Sequence, residues 1–246
     1  MNEGQFSHSY SSHGRPWPDV DRPRRKALLA FAVLCNLALV LMECIAFAAL
    51  WRAHPVFRDQ VIFYTNLSNF LTLLCSALFV LSGTASLFGD GRMPHGIEVF
   101  RLVCTVQLYI TWLVIFVGAV PLFFSSGPGS LAAMYGGSMF VMHFLAPVVS
   151  LVSFVFLEGT PRLTRRDAFL GVLPTYLYTL VLVPLNAFGV VEGPYPFLQV
   201  DTNPLWLSLV YAVLFLPGDY LVSLCGKWLH NGIACRIAGE IQRSRN

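Results

Sequence analysis

The chain has 246 residues, 56% of them apolar and only 12% charged, with a net charge of +3. Soluble domains carry about twice that charged fraction, and the mean hydropathy is +0.64, so an ordinary soluble domain is excluded and an integral membrane protein is implied. Six cysteines (Cys35, Cys44, Cys75, Cys104, Cys225 and Cys235) show no CxxC or ligand-like spacing. Neither a disulfide framework, a metal site nor a cofactor is expected from them. The bilayer is the first partner, and nucleic acid is not one.

Residues 1–25 are polar, rich in His, Ser and Pro, and lack apolar periodicity, which predicts a disordered tail. The tail ends in Arg22, Arg24, Arg25 and Lys26. A transmembrane domain is expected over 26–230, followed by a short basic tail at 231–246. Within the domain six apolar runs approach the roughly 20 residues that a bilayer core requires. They fall at 27–51, 61–82, 100–124, 139–157, 168–191 and 204–224. The Gly/Ser-rich gap from Ser125 to Gly137 reads as a flexible loop. The fold class is therefore all-α, a polytopic bundle of six transmembrane helices. Six spans put both termini on one side of the membrane. That side collects 14 of the 16 Lys and Arg residues, leaving only Arg52 and Arg58 on the other. By the positive-inside bias both termini are cytoplasmic, and the cell membrane is the expected location.

Inside the second run, Thr65, Ser68, Asn69, Thr72 and Ser76 recur at spacings of three and four. On a helix they make one polar stripe. Facing lipid, that stripe would leave donors and acceptors unpaired at a few kcal/mol apiece, so it must face protein or a cavity. A helix rises about 1.5 Å per residue, which converts sequence position into depth. Thr65 and His143 then both lie roughly 6 Å below the outer surface, and Asn69 and Glu43 roughly 12 Å below it. Asn66 follows Thr65, and Asn186 falls in the outer part of the fifth run. Asp219, beyond Pro217-Gly218, falls near the inner face, where pairing with Lys227 or Arg101 is expected. Tyr195 and Trp206 read as interfacial anchors.

A hydroxyl level with an imidazole suits nucleophilic catalysis, in which His removes a proton while Thr or Ser attacks an acyl carbon. Asn66 and Asn69 are candidate oxyanion donors, and Glu43 is a candidate for orienting the imidazole. The same residue types also join transmembrane helices to one another, or line a solute path, and spacing alone separates none of the three.

The six-run layout, Phe63-Tyr64-Thr65 opening the second run and Met142-His143 opening the fourth resemble the androgen-induced family of membrane hydrolases. Gly193-Pro194-Tyr195-Pro196-Phe197-Leu198 is similar to a segment of that family after its fifth span, and Gly218-Asp219 to a Gly-acid pair in its last. The wording Tyr64-Thr65-Asn66-Leu67-Ser68-Asn69 is closer to a prokaryotic branch with the same layout, the Pr-six-Pr membrane proteins. The resemblance spans residues 27–230. It implies a threonine hydrolase of fatty acyl esters, with Thr65 as nucleophile and His143 as base. Asn66, Ser68 and Asn69 depart from the animal members, which keeps Ser68 open as the working hydroxyl.

Overall fold

The computed structural model describes residues 22–89, 91–115, 136–158, 163–195 and 198–243. Most of the expected tail, residues 116–124 of the third expected span, most of the Gly/Ser loop and residues 244–246 lie outside the described residues. The described chain is helical, with seven helices: α1 (Arg22–Ala53), α2 (Phe57–Val61), α3 (Tyr64–Phe88), α4 (His95–Leu113), α5 (Ser138–Leu157), α6 (Arg165–Ala187) and α7 (Leu205–Arg243). All but α2 are long and apolar enough to cross a membrane. The end of the bundle that carries Ala53, Tyr64, Ala187 and Leu205 is called the upper end below.

Helix α4 is the most enclosed span and packs against α3, α5, α6 and α7. Its core face is Leu102, Val106 and Ile110, joined by Phe154 and Val155 of α5 and Val172 of α6. Helix α1 lies along α3, and the two are in close contact at Gly83, where an added Cβ would stand 2.6 Å from Val33 Cγ2. The outward surfaces of the spans are apolar, as lipid-contacting faces are: Leu34, Leu41 and Ile45 on α1, Leu180 and Val181 on α6, Val213 and Leu214 on α7. Exposure therefore inverts the soluble rule, with polar side chains inside.

Of the bounds that differ from those expected, two bear on buried charge and on the C-terminal end. Helix α4 starts at His95, after Pro94, five residues before the apolar run begins. Glu98 and Arg101 depress the hydropathy there, yet both are buried. Arg101 donates from Nε to Glu158 Oε1 and Oε2 (3.1 and 3.2 Å) and from Nη2 to Oε1 (2.9 Å). This corrects the pairing expected between Arg101 and Asp219. Helix α7 continues to Arg243, so most of the expected 231–246 tail is an extension of the last span.

Helix α5 carries two π turns, over Val141–Leu145 and Ser153–Leu157, and the first has a local cause. Pro147 has no N–H to donate to the carbonyl four residues back, which belongs to His143. The helix widens there into a π turn over Val141–Leu145, with the Ala146 N–H reaching Val141 O. Single π turns of this kind are frequent at functional sites.

Candidate functional site

Beneath the upper end lies a cavity of about 1690 Å³. Thr65 and Asn66 of α3, His143 of α5, Thr175 and Tyr178 of α6, Phe215 and Asp219 of α7 and Tyr195 of the α6–α7 connection all line it. Much of the remaining wall is apolar, from Leu180, Val183, Leu209 and Leu216.

Thr65 sits in the first turn of α3 and lines the cavity. Its carbonyl accepts from Ser68 Oγ (2.9 Å) and Asn69 Nδ2 (2.7 Å), which fixes the stripe onto the inner face. Asn69 Nδ2 also reaches Met142 O at 3.5 Å. That contact ties α3 to the π turn holding His143, so Thr65 and His143 share one wall because their helices are joined one turn below. Both are buried.

The other expected site residues fall into different environments. Asn66 faces the cavity, but its Nδ2 donates to Gln60 O (3.0 Å) and Gln60 Oε1 (3.1 Å), and Gln60 Nε2 donates to His54 O (2.7 Å). It locks the α2–α3 elbow. Ser68 is buried off the cavity wall, with its hydroxyl against Thr65 O and Thr111 Oγ1 (3.2 Å). Asn69 is fully buried, and its Oδ1 has no hydrogen bond among the described residues. Glu43, on the buried face of α1 with Leu39, Ala46 and Leu50, is equally enclosed. Neither of its oxygens makes a hydrogen bond among the described residues, so the carboxyl does not hold the His143 imidazole.

Asn186 is drawn away from the cavity by the backbone. Its Oδ1 accepts from Val200 N (2.7 Å) and Asp201 N (3.3 Å), and its Nδ2 donates to Val191 O (3.1 Å). One buried amide thereby closes the α6–α7 connection into a strap. Gly193 completes the closure, because an added Cβ would stand 2.6 Å from Leu198 O. The tip of the strap carries Tyr195, whose hydroxyl accepts from Thr65 N–H at 3.4 Å and lies in reach of the Thr65 side chain. Its ring meets Phe63 edge-on at 6.3 Å between centroids. Tyr195 is thus a cavity residue rather than the interfacial anchor expected. Trp206, by contrast, is exposed.

Sequence reasoning gave Gln107 no site role, yet it holds Tyr64 and Thr175 of the cavity wall. Gln107 Oε1 accepts from Tyr64 OH and from Thr175 Oγ1 (2.9 Å), while its Nε2 donates to Gly171 O (2.6 Å). Asp219 lines the same cavity about 21 Å along α7 from Leu205, so it belongs with Thr65 and His143 rather than to a separate inner-face pair. Its signal was a lone acid in an apolar run, which marks a functional position by default. Among the described residues no three His, Cys, Asp or Glu side chains are grouped to hold a metal ion.

The fold and cavity define a class: a six-span, all-α protein with a polar-lined, apolar-walled chamber among its helices. No family model, curated protein or solved structure matches the chain.

Proposed function

We propose that the protein is an integral membrane hydrolase, or acyl transferase, of lipid esters, as its resemblance to the androgen-induced and Pr-six-Pr membrane proteins implies. The observation that carries this is the sharing of one large apolar-walled chamber by a hydroxyl (Thr65) and an imidazole (His143) within the membrane-spanning part of the chain. Thr65 Oγ1 attacks the acyl carbon while His143 takes the hydroxyl proton. His143 returns that proton to the departing alcohol oxygen, and water then releases the acid from Thr65 by the same steps. Thr65 is favoured over Ser68 because it lines the chamber, whereas Ser68 does not and its hydroxyl is engaged by Thr65 O and Thr111. The bilayer supplies the substrate, and the apolar walls suit an acyl chain. Both termini lie in the cytoplasm of a cell whose plasma membrane holds the protein.

The test is fluorophosphonate labelling of the purified protein. Labelling lost in Thr65→Ala and His143→Ala but kept in Ser68→Ala supports the assignment. Loss in Ser68→Ala with retention in Thr65→Ala moves the nucleophile. A second reading, a carrier of small solutes, draws on Asp219 sharing the chamber with the upper polar cluster. It requires solute flux into proteoliposomes that is lost in Asp219→Asn and kept in Thr65→Ala, the reverse of what the hydrolase requires.

A further inference from the structure

A carboxylate enclosed among membrane spans is costly unless positive charge stands against it. Glu158 meets that requirement through the Arg101 guanidinium. Asp219 does not. It is only 6% exposed and lines the chamber, yet among the described residues no hydrogen bond or ion pair reaches its carboxyl. Two tyrosine hydroxyls lie within electrostatic range of it, but Tyr64 OH donates to Gln107 Oε1 and Tyr176 OH to Leu216 O at 2.5 Å. Glu43 also makes no hydrogen bond among the described residues, but it does not line the chamber.

The surroundings of Asp219 limit what can complete it. It is the lowest residue that α7 contributes to the chamber wall, as Thr175 is from α6 and Ile110 from α4, so its carboxyl stands at the lower end. Phe215 and Tyr211 precede it by one and two turns and line the same wall, with their ring centroids 6.2 Å apart. The wall holds two acids, Asp219 and the exposed Glu192, and neither Lys nor Arg among the described residues. An anionic headgroup would meet only like charge there. A cation meets a carboxylate and aromatic rings, both of which attract it. A small metal cation would need about six oxygen ligands, whereas the nearest α7 wall is Ala212, Phe215 and Leu216. A space of about 1690 Å³ is also far larger than such an ion.

We propose that the lower end of the chamber is a binding site for an amphiphilic organic cation. Its ammonium group is held by the Asp219 carboxylate beneath Phe215 and Tyr211, and its apolar body lies along Leu180, Val183 and Leu209 above. The inference rests on the chamber and needs no ester chemistry. On the hydrolase reading the substrate is then an acyl ester that carries an ammonium group. On the carrier reading the cation is the solute.

The experiment measures equilibrium binding of radiolabelled octyltrimethylammonium to the purified full chain in dodecyl maltoside, an uncharged detergent, with protein-free micelles subtracted. The probe is permanently charged and has no ester, so neither protonation nor turnover enters the reading. Saturable binding is expected, displaced by unlabelled probe and not by octanesulfonate, which has the same chain and the opposite charge. Asp219→Asn keeps the shape and removes the charge, and it should weaken binding by about tenfold or more. Asp219→Glu should keep most of the affinity. The site is overturned by equal displacement with octanesulfonate, by no saturable binding above protein-free micelles, by wild-type affinity in Asp219→Asn, or by an equal loss in Asp219→Asn and Asp219→Glu. The first two outcomes need only the wild-type chain, so a variant that fails to fold does not shield the proposal. Fluorophosphonate labelling of Thr65 is independent of all four and decides the hydrolase reading separately.

Discussion

Replacing Glu158 by Leu removes the carboxylate facing a guanidinium that is fully buried among the spans. Arg101 makes three contacts of 2.9–3.2 Å to that carboxylate. Its remaining contacts are to Ser150 Oγ and Ser150 O, both at 3.4 Å, and to the Phe79 face at 5.8 Å. None of these neutralises the charge. Breaking a buried pair from one side costs about 3–5 kcal/mol, whereas replacing both partners by apolar groups of similar size is near neutral or stabilising by about 1–4 kcal/mol. For a chain of this size about 1 kcal/mol moves the melting temperature by about 2–4 °C. Glu158→Leu should therefore melt roughly 6–20 °C below wild type, and Arg101→Met with Glu158→Leu should recover most of the loss. The assay is thermal unfolding in detergent followed by a thiol-reactive dye. Cys75 and Cys104 are fully buried and react only on unfolding, while Cys44, Cys225 and Cys235 are exposed and react at the outset. A double variant no more stable than the single one would refute the reasoning, because the loss would then come from packing and not from a stranded charge.

Thr65→Ala and His143→Ala are each expected to abolish ester turnover while the melting temperature moves by no more than a change of about 1 kcal/mol produces. Retained turnover in either variant removes that residue's role. Asn186→Ala strips three hydrogen bonds from the strap. It should loosen the strap by about 1–3 kcal/mol, seen as faster Glu-C cleavage at the exposed Glu192, and an unchanged cleavage rate would show that other contacts hold the loop. Gln107→Leu removes the partner that Tyr64, Thr175 and the Gly171 carbonyl now share, and leaves Tyr64 OH and Thr175 Oγ1 bonded to each other at 2.8 Å. Each lost hydrogen bond costs about 0.5–1.5 kcal/mol, so the melting temperature should fall by several degrees, and a wild-type melt would show that the Gln107 contacts contribute nothing to stability.

The stripe on α3 was legible because it needs only helical period. Thr65, Ser68, Asn69, Thr72 and Ser76 are all buried, and Thr72 Oγ1 donates to Ser68 O at 2.9 Å. Depth counting likewise brought Thr65 level with His143, since both lie close to helix ends whose positions hydropathy fixes. It could not decide which stripe residue faces the chamber. Thr65 and Ser68 are three apart and share a face, and the neighbour across from each decides the matter: Thr111 covers Ser68, while the strap leaves Thr65 open below. The strap itself was illegible. Asn186 reads as one more amide in an apolar run, and its role depends on backbone groups 5, 14 and 15 residues further along. Tyr195 was misread for the same reason, since an aromatic just past a span fits the interfacial belt by composition alone.

Two polar sets within one bundle are distinguished by whether they line open volume. In the lower set, Glu158 Oε1 accepts from Arg101, Asn36 Nδ2 (3.3 Å) and Ser153 Oγ (2.8 Å), and Thr105 Oγ1 meets Ser150 Oγ at 2.9 Å. Three spans, α1, α4 and α5, converge on that carboxylate, as helix-joining polar residues do. The upper set is built differently. There the amides lock the elbow and the stripe, and Thr65, His143 and Tyr195 line open volume. Bundle stability alone would favour filling a space of about 1690 Å³ with apolar side chains. A chamber kept open beside these three groups is the arrangement expected when a ligand completes the packing.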